Sequence, residues 1–524
     1  MNKSMKQLTQ FAACAVAALS VVACSSEDTA QQDNAKQNTT KGVATFDGSQ
    51  PSNDTRALTR TTATYTLGGD AKVFWTSADK IFVQDDANTF HQSGAANLYN
   101  PSNKAKATFS LASSSFTLNN REVRYTGENG TDANTVTIAS TQTQTTANDF
   151  SHLGTSGDCG TATATGSNGN YTFTLNHKAS YLCFVPRCMN TDLGPNIKLT
   201  KIKVTANQPI AGKYDFSTGS LAQKTGETYS NTITLNTSDF SLNTTVSSLA
   251  TNGAYMVVAP GTYNFTITYT IKDPATNVEG DIVKTVSSYN CQEGKINDIT
   301  AWIDKDIRDY SNRKYYMWDA KKDCWYGYES VQPSVVLTNN PNYPKTVTDI
   351  RWYNPTAGNA TNSSAICHNI NELIWYTMKG DPHWDGTSLW SLKGHLHVGG
   401  MWLLKHSAIT GFSTEKYGTK DYRLETNGAN VRINNTHVTA GKPANTTNYF
   451  YTPATGYYDR TDGTYRGSGD NPLYVQGYVW SSTTSLDQNG SGSYSLAYYM
   501  AFGSGGIYTN FMWKNTGFPN SLDD

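Results

Sequence analysis

The sequence predicts a mostly β protein built from several domains. Apolar and polar side chains alternate with a two-residue period in segments such as EVRY, NYTFTLNH, KLTKIKVTA and GTYNFTITYTIKD, as is typical of strands with one buried face. Turn-forming clusters such as GENG, GSNGN and STGS separate these segments. The chain has 524 residues, too many for a single core when domains of roughly 100 to 200 residues are usual.

The charge balance argues against nucleic-acid binding. Charged residues make up 16% of the chain and the formal net charge is -1. Such a chain has no sustained positive field that would collect phosphate groups, so we expect no nucleic-acid partner.

The amino-terminal residues look like a bacterial lipoprotein signal. Lys3 and Lys6 precede an apolar run that ends in VVAC at Cys24, and this run is too short for a stable transmembrane helix, which needs about 20 residues. We expect residues 1–23 to be the signal peptide and Cys24 to carry the lipid. Residues 24–55 are polar and should form a disordered tether. The expected location is the outer membrane or cell surface, held by the lipid anchor.

The long alternating segment GTYNFTITYTIKD gives the most specific strand prediction. Phe265, Ile267, Tyr269 and Ile271 are spaced two residues apart, so they should share one buried face. This pattern favours a β-sandwich, in which two sheets pack through such faces.

A series of short segments resembles the fimbrillin family, the type V pilins. In chain order they are DAKVFWTSADKIFVQDD, VTIASTQTQTTAND, FTLNHKASYLCF, QPIAGKYDFSTGSL and EGKINDITAWI, between about residue 45 and residue 303. The resemblance implies two fimbrillin-like β-sandwich lobes, which we place at residues 56–170 and 171–303, and other fimbrial subunits as partners. It also implies trimming after an Arg, for which Arg56 and Arg60 are candidates, and filling of the vacated groove by a strand from the next subunit. Both residues could equally be exposed charges at a domain edge.

After residue 303 the sequence becomes dense in Trp and Tyr and resembles a different family. The segments NELIWYTMKGDPHWD, GGMWLL, YFYTPA, YVWSSTT and AYYMAFGSGGIYTN are similar to C-type-lectin-like domains of the major paralogous type, which include proteins diversified by retroelements. The resemblance implies an α+β ligand-binding domain at residues 304–524. Its one clear helix should begin after an Asn369 cap, with Glu372 three residues later, and end at Gly380.

The polar residues of GDPHWDGTSLWSLKGHLHVGG raise the question of a metal site. His395 and His397 would point the same way on a strand, but Asp and His are also common in turns and caps. The candidate ligands are Asp381, His383, Asp385, His395 and His397. We expect neither a metal nor another cofactor.

Catalytic signatures are missing from the sequence. It contains no G-x-S-x-G, H-E-x-x-H or G-x-x-x-x-G-K-[ST] motif, so we expect no catalytic residues and no enzyme activity. A pair of carboxylates acting on a sugar would leave no such motif, which keeps an exported carbohydrate-active enzyme as an alternative. The six cysteines from Cys159 to Cys367 allow 15 disulfide connectivities, and we assign none.

The stretch AYYMAFGSGGIYTNFMWKN at residues 497–515 is the predicted binding surface. Alternation points Tyr498, Met500 and Phe502 inward and Tyr499, Ala501 and Gly503 outward. The lectin-like resemblance implies a ligand surface of Tyr499, Tyr508, Asn510, Phe511, Trp513 and Asn515. Such aromatic and amide side chains suit noncovalent recognition, although they could instead belong to the core.

Together these observations predict a cell-surface lipoprotein adhesin, a tip or accessory subunit of a fimbrium, that binds a protein or glycan ligand. A polymerising shaft subunit is the alternative within the same family. It would need the carboxyl-terminal residues to act as a donor strand.

Overall fold

The computed structural model describes residues 43–49, 65–68, 74–100, 103–112, 116–335, 340–355, 359–424, 431–467, 476–485 and 495–523. It confirms the mostly β fold class. The predicted signal peptide, Cys24, Arg56 and Arg60 lie outside the described residues. Within these ranges no helix has the length and apolar character needed to cross a membrane.

The first part of the chain contains eleven strands and one short helix. They are β1 (Val43–Ser49), β2 (Phe82–Gln84), β3 (Phe90–Gln92), β4 (Asn97–Asn100), β5 (Asn103–Ala112), β6 (Asn120–Tyr125), β7 (Thr135–Ile138), β8 (Thr141–Gln144), α1 (Leu153–Ser156), β9 (Gly160–Ser167), β10 (Asn170–Thr174) and β11 (Asn176–His177).

The middle of the chain adds β12 (Ser180–Arg187), β13 (Lys198–Ala206), β14 (Ala211–Asp215), β15 (Tyr229–Ser230), β16 (Thr232–Ser241), α2 (Leu249–Asn252), β17 (Ala254–Val258), β18 (Gly261–Asp273), β19 (Val278–Cys291) and β20 (Ile296–Trp302). The last part adds β21 (Arg308–Asp309), β22 (Tyr315–Tyr316), α3 (Ile370–Lys379), β23 (His383–Leu392), β24 (His395–Leu404), β25 (Ile433–Asn435), β26 (Thr439–Ala440), β27 (Tyr449–Pro453), β28 (Tyr457–Tyr458), β29 (Tyr465–Arg466), β30 (Gln476–Ser485), β31 (Leu496–Gly503), β32 (Gly506–Trp513) and β33 (Phe518–Pro519).

The first unit is one nine-stranded sheet in the order β3-β2-β6-β9-β10-β1-β5-β4, with β11 beside β9. Its buried side chains form a single core around Trp75. Strand β1 runs parallel to β10 and antiparallel to β5, and its Phe46 is fully buried. The prediction of a disordered tether over residues 24–55 is therefore wrong for residues 43–49, because their alternating apolar side chains complete this core.

The second unit is a sandwich. The sheet β19-β18-β13-β16-β8 lies over the sheet β17-β12-β20, and a third sheet, β15-β14-β7, packs beside them around the same core. Phe265, Ile267, Tyr269 and Ile271 are all buried, as the alternation predicted.

The boundary between the first two units is not the single cut near residue 170 that the sequence suggested. Strands β7 and β8 were assigned to the first lobe, but they pair with β14 and β16 of the second unit. Two buried glutamines fix this arrangement. The Gln142 side chain donates to the carbonyl of Val257 at 2.8 Å and accepts from its N–H at 2.9 Å, and Gln144 accepts from the Tyr255 N–H at 2.7 Å. Strands β9 to β11 then return to the first sheet.

The third unit holds helix α3 against two sheets, β21-β23-β24-β27 and β25-β32-β31-β30. One core joins Leu373 and Tyr376 of α3 with Met401 of β24 and Met500 of β31. The helix begins and ends as predicted. The Asn369 side chain accepts from the N–H groups of residues 371 and 372, and the Glu372 carboxylate accepts from the Asn369 N–H at 2.7 Å. This reciprocal capping satisfies donors that a helix start otherwise leaves unpaired.

The second and third units meet through a buried polar junction. Asp273, at the end of β18, has no exposed surface, and its carboxylate accepts a hydrogen bond from the Leu396 N–H at 2.9 Å and lies 3.0 Å from His395 Nδ1. Thr276 donates to the Leu396 carbonyl at 2.7 Å. The junction therefore rests on directional contacts between the β18–β19 turn and β24.

Candidate functional site

Strand β31 lies at the centre of the predicted binding stretch and is buried along its whole length. Tyr498, Met500 and Phe502 point toward α3, where Tyr498 packs with Ile370 and Ile374 and the other two join the core under the helix. This side of the strand confirms the predicted inward face.

The opposite side of β31 contradicts the prediction. Tyr499 is only 4% exposed and Ala501 is fully buried, because Trp318, Cys367 and Phe518 cover this face of the sheet. The expected outward orientation of Tyr499, Ala501 and Gly503 is therefore wrong. Segments distant in the sequence cover the face that alternation alone would leave in water.

Three partly exposed tyrosines surround Tyr499 at the margin of this face. We call Tyr457, Tyr478, Tyr499 and Tyr508 the tyrosine cluster. The ring centroids of Tyr457 and Tyr478 lie 4.9 Å apart, those of Tyr478 and Tyr499 6.0 Å, and those of Tyr499 and Tyr508 6.3 Å. Phe518 stacks on Tyr478 from within at 4.9 Å. The cluster is thus fixed from below by Phe518, and Tyr457, Tyr478 and Tyr508 remain partly exposed.

The hydroxyl groups of the cluster stay protonated near neutral pH. Burial is the largest cause that raises the pKa of each of the four tyrosines. The Tyr478 hydroxyl donates to Gln476 Oε1 at 2.5 Å. Protonated phenols both donate and accept hydrogen bonds, so the cluster is suited to binding and not to proton transfer.

The exposed Arg466 lies directly opposite Tyr457 in the β28–β29 register. Arg466 lowers the pKa of Tyr457 against the larger effect of burial, and Arg432 does the same for Tyr499. A ligand at this surface would therefore meet phenol hydroxyls and positive charge together.

Of the other predicted site residues, Asn510 lies on the same side of the sheet as the cluster, and Phe511 lies on the opposite side. Asn510 is half-buried beside Tyr499 in the sheet register, and its side chain accepts from the N–H of Phe511 at 2.9 Å. Phe511 lies on the α3 side, with the Arg432 guanidinium 4.9 Å from its ring centroid. Trp513 is 44% exposed, with Arg460 5.1 Å from its ring. Asn515 is half-buried, and its main-chain carbonyl accepts from the Tyr343 hydroxyl at 3.0 Å.

The five candidate metal ligands fall into separate settings. Asp385 is buried and accepts hydrogen bonds from Thr387 and Ser388 in a tight turn. His395 faces Asp273 of the second unit, and His397 is buried with its ring stacked 4.6 Å from that of Trp390. Asp381 and His383 are paired at 3.5 Å. In the described part of the chain no three His, Cys, Asp or Glu side chains are grouped as a metal site would require.

The described cysteines are buried free thiols. They are Cys159, Cys183, Cys188, Cys291, Cys324 and Cys367. Burial raises the pKa of each thiol. Such thiols are poor nucleophiles.

Comparisons with known proteins add a weak structural likeness. No family model and no curated protein matches the sequence. Among solved structures, a candidate cell adhesion protein from Bacteroides ovatus is 13% identical, with 49% of this chain and 91% of that chain covered and a TM-score of 0.30. A second, from Bacteroides uniformis, is 16% identical, with 50% and 94% covered and a TM-score of 0.30. The shaft pilin SpaA of Lactobacillus rhamnosus GG is 12% identical, with 50% and 97% covered and a TM-score of 0.20. Values this low establish neither a family nor a function.

Sequence reasoning missed two members of the cluster and a second aromatic surface. Tyr457 lies just after the YFYTPA segment and Tyr478 is the first residue of YVWSSTT, but neither was named as a candidate ligand contact. Tyr326 and Tyr328 are 47% and 41% exposed, with Lys322 4.5 Å from the first ring and Arg351 4.7 Å from the second. The sequence feature that could have indicated this surface is KKDCWYGY, in which two lysines precede two tyrosines that are separated by a glycine.

Proposed function

We propose that this chain is a cell-surface adhesion protein, an accessory or tip subunit of a pilus, and that its third unit binds a protein or glycan through the tyrosine cluster. The observation that carries the proposal is the set of partly exposed, protonated tyrosines fixed on a packed sheet. Tyrosine gives a large contact area with few rotatable bonds, so ordering it on binding costs little entropy. Support from Phe518 and Tyr499 lowers that cost further.

Attachment to the outer membrane by a lipid on Cys24 is part of the proposal. It rests on the basic residues, short apolar run and cysteine of the amino-terminal sequence. A lipid anchor would hold the protein at the cell surface, where the third unit could reach a ligand.

The position of β1 supports a link to pilus assembly. A cut after Arg56 or Arg60 would separate β1 from the rest of the chain, although β1 pairs on both sides and contributes Phe46 to the core. Losing it would leave a groove between β5 and β10 that a strand of another subunit could fill.

The carboxyl-terminal residues favour an accessory or tip role over a shaft role. Phe518 and Pro519 pair with β22, Leu522 is buried, and Asp523 forms an ion pair with Arg313. Residues held in this way are not free to act as a donor strand for a neighbouring subunit.

The test is a glycan and protein array probed with the full chain and with the double variant Tyr478→Phe, Tyr508→Phe. The variant keeps the rings but removes two hydroxyls. A lost hydrogen bond to a buried partner costs about 1–3 kcal/mol, so we expect binding at least about tenfold weaker. Tyr99→Phe is the matched control, because Tyr99 is 83% exposed in the first unit. Equal binding by the double variant and the control would refute the site.

A further inference from the structure

A lysine lies in the interior of the third unit without a surface to reach. Lys514 follows β32 and has no exposed surface. Its Nζ donates to the main-chain carbonyl of Asn354 at 3.2 Å and lies 4.1 Å from the ring centroid of Trp318. Lysines are almost never fully buried unless a specific interaction holds them, so this one requires an explanation.

The same pocket contains a carboxamide and a carboxylate. Asp319 is fully buried, and its Oδ2 accepts from Nδ2 of Asn354 at 2.8 Å. Main-chain N–H groups of Thr361 and Asn362 donate to the same carboxylate at 2.9 Å and 2.6 Å. The turn therefore holds Asp319 against the Asn354 side chain, whose main chain contacts the Lys514 amine.

The surroundings increase the fraction of Lys514 in the neutral, nucleophilic form. Burial lowers the pKa of Lys514 to about 8, against the opposing charge of Asp319. A desolvated lysine of this kind carries a usable fraction of free amine near neutral pH. Trp318 and Trp480 are fully buried nearby and exclude water that would compete as a nucleophile.

We propose that Lys514 and Asn354 form an intramolecular isopeptide bond, with Asp319 as the residue that positions the Asn354 carboxamide. The Lys514 Nζ bonds to Cγ of Asn354, and the bond from Cγ to Nδ2 breaks. One proton passes from Nζ to Nδ2, whose hydrogen bond to the Asp319 carboxylate holds the carboxamide in place. Nδ2 then leaves as ammonia. The step exchanges one amide for another and needs no oxidant, reductant or added reagent.

The bond would close a covalent loop around the core of the third unit. Residues 354 and 514 enclose α3 and most of the strands of both sheets, so the link would restrict the unfolded chain as a disulfide does. A unit closed in this way resists pulling at either end of the loop, and this property is independent of which ligand it binds.

The test is peptide mapping of the purified, folded full chain by tandem mass spectrometry after denaturation and trypsin digestion. We expect the peptide of residues 352–379 joined to that of residues 467–524. The second peptide should remain uncut after Lys514, and the joined mass should be one ammonia below the sum of the two. Separate peptides with cleavage after Lys514 would show a buried lysine held by noncovalent contacts only and would overturn the proposal. A link at any other pair of residues would also overturn it.

Variants separate the roles of the three side chains. Lys514→Met and Asn354→Ala should abolish the joined peptide. Asp319→Asn removes the charged acceptor that positions the Asn354 carboxamide and should reduce the yield at least about tenfold, because a reacting group misplaced by about 1 Å can slow a reaction by about a hundredfold. Lys420→Met is the matched control, because Lys420 also lies near a ring, 5.0 Å from that of Tyr422, but is exposed. The map of the unmodified sequence decides the question even if a core variant fails to fold.

Discussion

Replacing Asp273 with Ala should weaken the junction between the second and third units. In the native protein the Asp273 carboxylate accepts from the N–H groups of Leu396 and Ala275, at 2.9 Å and 2.8 Å, and lies 3.0 Å from His395 Nδ1. Alanine would leave the buried Leu396 N–H and the two more accessible groups without their acceptor. The contacts with Leu396 and His395 join the second unit to the third, so the loss should affect mainly this junction.

The expected loss of stability depends on how deeply the groups that contact Asp273 are buried. A buried donor left without its acceptor costs about 1–3 kcal/mol, and the Leu396 N–H is such a donor. The His395 side chain is 20% exposed, so water can partly replace its lost partner. We therefore expect a loss of about 1–3 kcal/mol.

Scanning calorimetry and limited proteolysis of the full chain would measure this loss. The variant should show an earlier transition for the third unit and faster cleavage near residue 304. Asp281→Ala is the control, since Asp281 is exposed and accepts from Thr270 at 2.7 Å on the same sheet. Identical melting profiles for the Asp273 variant and the native chain would refute the reasoning.

The pH dependence gives the same prediction a second check. Burial acts to raise the pKa of Asp273, but hydrogen bonds from His395, Leu396 and Ala275 together hold it below the ordinary value of 3.8. A lowered carboxyl pKa stabilises the fold above the unfolded pKa and loses that effect as the pH falls through the folded one. The difference between native chain and variant should therefore be constant near neutral pH and shrink below about pH 4.

Three further changes test the packing. Asn369→Ala removes the helix cap and should lower the free energy of unfolding by about 1 kcal/mol, measured by urea denaturation. Gly477→Ala places a Cβ 2.0 Å from Phe502 and should cost about 1–3 kcal/mol, whereas Gly505→Ala, with nothing within 4 Å, should leave the melting temperature unchanged. Burial raises the pKa of Asp79 to about 6. The stability that the protonated Asp79 contributes is therefore fully present below the pKa of the unfolded chain and is lost as the pH rises through about 6. Asp79→Asn should reduce the change of melting temperature with pH over this range, measured by thermal melts.

Local sequence signals predicted the elements that depend on neighbours in the chain. The α3 helix begins at Asn369 because its cap and Glu372 lie within one turn of each other. The buried face of β18 followed from a two-residue period that any half-buried strand must show. Neither feature requires knowledge of the rest of the fold.

The features that the sequence did not predict depend on contacts between residues far apart in the chain. Tyr499 has the alternation of an exposed residue, but Trp318 and Phe518 reach its face from opposite ends of the third unit. Likewise, β8 belongs to the second unit and not to the predicted first lobe, because the side chains of Gln142 and Gln144 hydrogen-bond to the main chain of β17. In the sequence, a glutamine whose side chain hydrogen-bonds to a neighbouring strand cannot be told from a glutamine in a polar turn. Its role is therefore visible only in the structure.

The packing of the tyrosine cluster determines how it can recognise a ligand. Tyr478 gives one ring face to Phe518, to which it lies nearly parallel at 21°, and Tyr508 meets Tyr499 edge to face at 80°. Because the rings already contact one another, what remains for a ligand is mainly their hydroxyls and edges. Hydrogen bonds should therefore contribute more than stacking at this surface. At Tyr326 and Tyr328 stacking should contribute more than hydrogen bonds. Their rings are exposed, contact the side chains of Lys322 and Arg351, and are not covered by Phe518.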